Sequence, residues 1–309
     1  MGFIMRKYTL YDNDGRSYDV TVKGSAFLYG VGGLGYEDDA TFQRINSRYK
    51  LLQKYRNQPK ITGTVKFWQP NAEQTLFEFA QFCQNEPLFL KYSPQSGTTK
   101  KSSFDKAYVD KTTLYLPFES VKYENYYRRG YVTKIDKSDV LGNCLEVTIE
   151  FTAITQWYKV KSDYNYGGES VSGKKYNYEY PYIYTGSVSN QVTLISDSRQ
   201  QSPTRITIMG PCTNPTWRHY VDGVLKESGK VIAEILPNHR LVIDTTVIPY
   251  SMIVYDAQNQ EITDLYQSSD FETQRFVSLD YGENVITVSA EDVTVIGIGV
   301  EAEIEYATV

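Results

Sequence analysis

The sequence contains one motif that resembles a phosphate-binding loop. Gly30-Val31-Gly32-Gly33-Leu34-Gly35 has the G-x-G-x-x-G spacing that holds a pyrophosphate at the N-terminus of a helix in dinucleotide-binding folds. Glu37, Asp38 and Asp39 follow it where an apolar helix would have to begin, and their charge would repel phosphate. No βαβ pattern surrounds the motif. We therefore interpret it as a flexible glycine loop or as a place where the backbone of another subunit approaches closely.

Residues suited to nucleophilic or metal chemistry are few. The two histidines, His219 and His239, lie beside strand-like runs and outside any nucleophile motif, so we interpret them as surface or turn residues. The chain has no H-x-x-x-H, C-x-x-C or EF-hand spacing, and we expect no metal site and no cofactor. Cys83, Cys144 and Cys212 are far apart, and we expect them to be buried thiols in a protein made in a reducing cytosol.

A pair of catalytic carboxylates cannot be identified from spacing, because in glycoside hydrolases the fold brings the two acids together. Among 37 acidic residues some pairs always look suitable. We interpret most of them as solvated strand faces. A cell-wall hydrolase stays open as the third hypothesis for the function.

Two clusters are suited to binding rather than to catalysis. Tyrosines recur at every second position, on one face of a predicted strand, at Tyr176, Tyr178, Tyr180, Tyr182 and Tyr184. Such a row can stack on sugar rings, or it can pack across strands or between subunits. A basic cluster lies in a predicted loop and consists of Lys100, Lys101, Lys106 and Lys111. It is either a solvated loop or, if it faces a channel, a contact for DNA phosphates in transit.

Composition restricts the classes of protein further. A chain of 309 residues with 41% hydrophobic residues favours two domains, and without a long apolar run or an export signal it is expected to be soluble, with no membrane partner. The net charge of −5 and the pI near 5.3 disfavour a nucleic-acid binder.

The charge is distributed unevenly along the chain. Residues 1–158 carry 21 basic against 17 acidic side chains and residues 159–309 carry 11 against 20, which supports a boundary between these halves. The 28 tyrosines favour strands and wet interfaces.

The first half, residues 1–158, is predicted to be an α+β domain with a β-sandwich and one helix. It opens with a hairpin of residues 3–10 and 17–28, and a polar stretch at 36–59 is predicted to carry a short helix or an extended arm around Phe42–Leu52. Strands are expected over residues 60–68, 88–92, 113–116, 126–135 and 145–154. Residues 145–151 alternate so that one face is wet or carries charge at an interface.

The predicted helix runs from Ala72 to Gln84. Asn71 is expected to cap its N-terminus, with Gln74 completing a capping box. One apolar stripe is formed by Leu76, Phe79, Ala80 and Cys83. The helix should therefore pack on a sheet.

The second half, residues 159–309, begins with a tyrosine-rich linker at about 159–185. Short apolar runs separated by turn residues then have the spacing of a β-sandwich. The runs are 205–209, 219–221, 231–236, 241–244, 251–255, 284–288 and 294–306. The fold class predicted for the whole chain is mainly β.

Several stretches, in order, resemble the distal tail protein of siphophages that infect Gram-positive bacteria. They are Gly33–Gly35 with the strand at 61–67 and the Leu76/Phe79 helix, the apolar-T-x-W-Y signature ending at Trp157-Tyr158, the G-x-x-x-N-P turn at 210–215, Ser269-Asp270-Phe271, and the L-x-x-G-x-N mark at Leu279–Asn284. No single motif is specific, but their order covers most of the chain. The long segments at 36–59 and 93–111 and the tyrosine-rich linker depart from a minimal family pattern.

The resemblance implies a structural, non-enzymatic protein of the virion tail tip, synthesised in the host cytoplasm. It implies an N-terminal domain that assembles with copies of itself into a six-fold ring and a galectin-like C-terminal sandwich. Its partners would be the tail tube protein, the tail-associated tip protein and receptor-binding or adaptor proteins, with DNA passing through the centre. The alternative is a carbohydrate-binding module or receptor-binding protein, motivated by the tyrosine row.

Overall fold

The fold is described by a computed structural model over residues 6–22, 26–94, 125–141, 143–165, 190–292 and 296–309. The chain divides into two compact units, residues 1–158 with 306–309, and residues 159–305. Antiparallel strands dominate both units, which confirms the predicted mainly β class. Within the described ranges there is one α-helix, α1, and no helix is both long enough and apolar enough to cross a membrane.

The strands of the first unit follow one another with short connections. Before the helix they are β1 Lys7–Tyr11, β2 Ser17–Asp19, β3 Thr21–Val22, β4 Ala26–Gly32, β5 Asp38–Ile45, β6 Arg48–Arg56 and β7 Lys60–Trp68. After α1 (Ala72–Phe82) they are β8 Leu88–Ser93, β9 Tyr126–Leu141, β10 Cys144–Ala153 and β11 Trp157–Asn165. Only the first two residues of β11 belong to this unit. The predicted opening hairpin is confirmed as β1 paired with β2, and the rest of its second run forms β3 and β4.

The long strand β9 joins two layers of the first unit. Its N-terminal end pairs with β8, which continues to β1 and β2, and the pairing with β8 ends at Gly130. From Gly130 onward β9 pairs with β10, followed by β7, β4 and β3. The apolar core is enclosed between these layers and α1.

The strict alternation of buried and more exposed residues along β7 and β10 determines which of their side chains enter the core. Every second residue of β7, from Ile61 to Phe67, is buried, and the same holds for β10 from Leu145 to Phe151. The two strands pair along their whole lengths, with Val65 opposite Val147. Because residues at period two share one face, the apolar sets of both strands enter the same core. The predicted strands at 60–68 and 145–154 are confirmed.

The predicted helix is confirmed, but its predicted cap is wrong. α1 buries Ala72, Leu76 and Phe79 against the sheet, and Cys83 just beyond its end is also buried. The side chain of Asn71 makes no capping hydrogen bond, and the amide of Gln74 donates to Glu78 instead. Packing of the apolar stripe, rather than a capping box, therefore holds the helix in place.

The second unit is built from two main sheets. The first contains β13 Ser202–Met209, β18 Arg240–Asp244, β19 Ser251–Tyr255, β20 Glu261–Asp264 and β23 Ile298–Tyr306, in the order β20-β19-β18-β13-β23. The second contains β12 Gln191–Ser196, β15 Thr216–Val221, β16 Val224–Lys230 and β22 Gly282–Ser289, in the order β12-β22-β15-β16. Shorter strands are β14 Cys212–Thr213, β17 Glu234–Ile235 and β21 Ser278–Leu279.

Most predicted runs of the second half coincide with these strands, and one does not. Residues 231–236, predicted as a strand, form only an isolated bridge at Val231 and the two-residue β17. The hairpin partner of β15 is β16, which begins with Val224 and Leu225 and continues with polar residues and a glycine. Of the three cysteines, Cys83 and Cys212 are buried thiols as predicted, whereas Cys144 is only half-buried.

Candidate assembly surfaces

The hairpin of β5 and β6 stands apart from the other strands. Its two strands pair antiparallel with each other from Asp38 opposite Arg56 to Ile45 opposite Arg48, and with no other strand in the described part of the chain. Every residue from 39 to 55 is exposed. The helix considered for this stretch from sequence is wrong, and the extended arm is confirmed.

Apolar side chains cluster on one face near the tip of the hairpin. Phe42 lies directly opposite Leu51, and Tyr49, two residues from Leu51, shares their face. The register shift between Thr41 and Phe42 leaves Leu52 as an additional exposed apolar residue. These three facing residues, Phe42, Tyr49 and Leu51, are called the hairpin patch below.

Charged groups fix the base of the same hairpin. The carboxylate of Asp38 accepts from Arg56 Nε at 2.9 Å and lies 2.7 Å from Lys54 Nζ. The guanidinium of Arg56 also lies over the ring of Tyr36, 4.2 Å from its centre. Hydrogen bonds from Arg56 and then Lys54 hold the pKa of Asp38 below its usual value. The base is therefore held by charged contacts, while the tip is exposed with respect to the described residues.

The glycine-rich motif leads into this hairpin. Gly33 has φ +79°, and a Cβ at this position would lie 1.8 Å from the carbonyl oxygen of Lys60. The next residue, Leu34, accepts a hydrogen bond from the indole Nε1 of the buried Trp157 at 2.9 Å. The strand β5 follows, where a dinucleotide-binding fold would have a helix. The backbone that approaches the glycine belongs to the same chain, so the close approach is internal.

The outer face of β7 and β10 carries paired charges. Glu146 lies 2.7 Å from Lys66 Nζ and accepts from the hydroxyl of Tyr29 at 2.9 Å. Glu150 lies 3.0 Å from Lys60 Nζ and accepts from Thr133. The hydrogen bonds from the lysines, first among the causes, lower the pKa of both glutamates. The charged face predicted for residues 145–151 is present, and its charges are satisfied within the unit.

The residues chosen from sequence as binding clusters lie outside the described part of the chain. This holds for the five tyrosines from Tyr176 to Tyr184 and for the lysines at 100, 101, 106 and 111. It also holds for the strand expected at 113–116. These expectations remain predictions.

The interpretation of His219 as a surface or turn residue is wrong. His219 is fully buried on β15, with Nδ1 2.6 Å from a carboxylate oxygen of Glu227 and Nε2 3.0 Å from the amide oxygen of Asn284. Both ring nitrogens therefore lie within hydrogen-bond distance of a side-chain oxygen. The three side chains come from β15, β16 and β22, which are neighbours in one sheet. Sequence spacing gave no sign of this cluster because its members are far apart along the chain.

The motifs that carried the resemblance have structural roles. Trp157 is buried beside the guanidinium of Arg128 and the ring of Tyr92. Asn284 closes the L-x-x-G-x-N turn, since its amide donates to the carbonyls of Asp280 and Gly282. Asn214 adopts φ 51° in the N-P turn and donates to Glu291. These residues shape turns and cores.

Comparison with known proteins finds one family model that matches part of the first unit. Residues 7–103 match the family model described as the distal tail protein, N-terminal domain. This part of the chain is similar to the N-terminal domain of distal tail proteins. It contains the hairpin, the glycine motif, β7 and α1. The resemblance to phage distal tail proteins drawn from the sequence is confirmed.

Solved structures resemble the chain over almost its full length. A chain of the phage P2 baseplate in its activated conformation with calcium matches with a TM-score of 0.61 and 15% identity, covering 99% of this chain and 100% of that chain. The phage SPP1 distal tail protein, described as a paradigm of the hub adsorption apparatus in phages infecting Gram-positive bacteria, matches with a TM-score of 0.54 and 10% identity, covering 96% and 98%. At these identities the likeness establishes the fold. No curated protein matches the chain.

Proposed function

We propose that this distal tail-type protein is a structural component of a phage baseplate that assembles with copies of itself into a closed, six-fold ring. The ring joins the tail tube to the tail-associated tip protein, carries receptor-binding or adaptor proteins, and leaves a central opening for DNA. The protein acts in the virion tail tip, after synthesis in the host cytoplasm. Its work is done by surfaces and edges rather than by catalysis.

The observation that carries this proposal is the exposed hairpin of β5 and β6. A two-stranded ribbon with both outer edges unpaired in the described chain presents backbone donors and acceptors that another chain can satisfy. The hairpin patch adds apolar area that is unfavourable in water and is removed from it on association. An isolated ribbon of this kind is only marginally stable until it is packed against something.

A second copy of the same chain is the occupant that fits best. The hairpin belongs to the part of the chain that matches the distal tail protein N-terminal domain. One similar chain belongs to the phage P2 baseplate, and the similar SPP1 protein is described as a paradigm of the hub adsorption apparatus. This chain has the fold of both. A head-to-tail contact, in which the hairpin meets a different surface of its neighbour, closes into a ring when the rotation between copies allows it.

The oligomeric state tests the proposal directly. Native mass spectrometry and negative-stain imaging of the full chain over a range of concentrations should show closed rings of six copies. The substitution Phe42→Ser removes part of the hairpin patch and should shift the mass toward monomer. The matched control is Phe77→Ser on the outer face of α1, because both phenylalanines are 58% exposed.

Each result of this experiment has a definite meaning. Rings formed by the parent chain and by Phe77→Ser but lost in Phe42→Ser would support the proposal. A parent chain that stays monomeric at high concentration, also in the presence of the tail tube and tip proteins, would overturn it. Rings that persist in Phe42→Ser and in Tyr49→Ser would show that the hairpin patch is not the contact.

The lysine cluster at 100, 101, 106 and 111 is assigned to the central opening within this proposal. Basic side chains at a channel wall meet the phosphates of passing DNA with a salt-dependent attraction. Replacing all four by glutamine should leave the ring mass unchanged and weaken retention of the ring by double-stranded DNA at low salt. Unchanged retention would remove these residues from the opening.

A further inference from the structure

The second unit contains an open cleft. It has a volume of about 760 Å³ and lies beside Tyr250 and the segment from Asp264 to Ser278. This volume is in the range of about 300–1,000 Å³ that is usual for small-molecule sites. The aromatic and polar side chains that line it come from the turn between β18 and β19, from the segment that runs from the end of β20 to the start of β21, and from Gln201 just before β13.

Three aromatic rings form one wall of the cleft. The ring centre of Phe276 lies 5.2 Å from that of Tyr250 and 6.0 Å from that of Tyr266, and the Tyr266 and Phe276 rings are nearly parallel. All three residues are only partly buried or exposed. Rings that pack against one another and still border an open volume offer apolar surface to a ligand.

Two buried polar atoms beside this wall have no partner. The Oγ1 of Thr273 and the Nε of Arg275 are removed from solvent and make no hydrogen bond within the described residues. Both side chains line the cleft. A buried polar atom without a partner is costly, and a ligand hydroxyl that bonds to it would remove that cost.

The guanidinium of Arg275 is held in one place. It stacks 4.1 Å from the ring centre of Phe271 and 4.8 Å from that of Tyr266. Its own backbone oxygen accepts a hydrogen bond from the indole of the buried Trp217 at 2.8 Å. The donor groups of the cleft are therefore positioned before any ligand arrives, which lowers the entropic cost of binding.

The charge of the cleft selects the class of ligand. Asp264 and Arg275 are the two charged residues in its lining, so their formal charges cancel, and the other polar groups are neutral amides and hydroxyls. A phosphate would face the carboxylate of Asp264, and a cation would face the guanidinium of Arg275. We propose that this cleft binds a neutral saccharide, with one face of a sugar ring on the aromatic wall and its hydroxyls bonded to Thr273 and Arg275.

This site differs from the tyrosine row at 176–184 and from the hairpin patch. Its lining residues all belong to the second unit, whereas the ring contact is assigned to the first. Saccharide binding and ring formation can therefore be lost separately. A ring that bears six such clefts would gain affinity for a repetitive surface glycan through multivalency.

The test uses the full chain on an array of neutral oligosaccharides containing glucose, galactose, rhamnose and N-acetylhexosamines, together with sialylated and phosphorylated counterparts. The best ligand is then titrated by calorimetry. Tyr250→Ala should lower its affinity about ten-fold, and Thr273→Val about three- to ten-fold. Tyr281→Ala is the matched control, because Tyr281 is an exposed tyrosine of the same unit that lies outside the cleft.

Several outcomes would overturn the proposal. One is the absence of binding to any neutral oligosaccharide on the array, and another is binding of the anionic sugars alone. A third is binding that survives Tyr250→Ala and Thr273→Val but is lost on Tyr180→Ala, which would place the site at the tyrosine row. Melting temperatures equal to that of the parent chain show that a loss of binding is not a loss of fold, and ring mass reports separately on assembly.

Discussion

The β5–β6 hairpin and the β7–β10 pair have similar residues and opposite surroundings. Both ribbons combine lysine or arginine, acidic residues, threonine and large apolar side chains. In β7 and β10 the apolar residues are buried on one face, and the charges pair across strands on the other. In the hairpin the apolar residues are as exposed as the charged ones.

The difference shows which surface of the first unit is left uncovered by the described residues. When one face of a strand pair is buried in the core and the charges on the other face are paired, a new contact adds little free energy of stabilisation. A ribbon that exposes both faces and both edges has apolar area and backbone groups in water, and association stabilises both. Whether a strand pair can form a new contact therefore depends less on its residue types than on how much of its surface is already buried or paired.

The strongest test of this comparison introduces the same charge into both ribbons. Val147→Asp places a carboxylate in the fully buried core of the first unit and should destabilise it by more than about 4 kcal/mol, enough to unfold it. Leu51→Asp in the hairpin patch, at 47% exposure, should leave the melting temperature unchanged and abolish ring formation. Thermal unfolding and native mass measure the two effects.

The comparison fails if Leu51→Asp unfolds the first unit, because the hairpin would then belong to the core. It also fails if Val147→Asp is tolerated. Thr148→Asp, at an exposed position of β10 beside Val147, is the control for adding a charge to this strand.

Glycine substitutions test how the hairpin is attached to β7. Ala at Gly33 would bring a Cβ to 1.8 Å from the Lys60 carbonyl oxygen, so Gly33→Ala should cost several kcal/mol. Gly30 also has a positive φ, but a Cβ there meets nothing within 4 Å, and Gly30→Ala should cost only about 1–2 kcal/mol. Denaturant unfolding of the two variants measures the difference between their free energies of unfolding. Equal losses would mean that the backbone around Gly33 moves away from Lys60 at little cost.

Sequence predicted the β7–β10 pair well and the hairpin poorly, for one physical reason. A strand with one buried face has a strict period of two, visible in Ile61 to Phe67 and in Leu145 to Phe151. The hairpin has no buried face, so neither a helical nor a strand period is imposed on it. The predicted cap at Asn71 failed because tertiary packing of Phe79 suffices to hold α1.

The sites depend on residues that are distant in sequence. His219, Glu227 and Asn284 meet because three strands are adjacent in one sheet, and Tyr250 meets Phe276 because two connections meet at the cleft. No spacing along the chain encodes either meeting. The row of tyrosines at 176–184 is visible in the sequence because its members are close together along the chain. That visibility does not show that the row has a function.

A smaller effect is expected at the base of the hairpin. Asp38→Asn removes the charge that Lys54 and Arg56 share, and should loosen the pairing near Arg56 without lowering the melting temperature of the first unit. Hydrogen exchange of the backbone amides at 38–41 and 53–56 should become faster, since this clamp is what orders an otherwise exposed ribbon. Exchange that also accelerates in β7 would show that the hairpin and the core open together.

The smallest expected effect is the contribution of the charged face of β7 and β10 to acid stability. The usual pKa of a glutamate, 4.5, is lowered for Glu146 by hydrogen bonds from Lys66 and Tyr29. The stabilisation is therefore fully present above the usual pKa and is lost as the pH falls through the lowered value in the folded state. Melting temperatures from about pH 6 to about pH 3 should fall slightly less for Glu146→Gln than for the parent chain, and about 0.5 M salt should reduce the difference. A large difference would mean that this face, although half-exposed, contributes to stability as the core does, and the contrast with the hairpin would then be wrong.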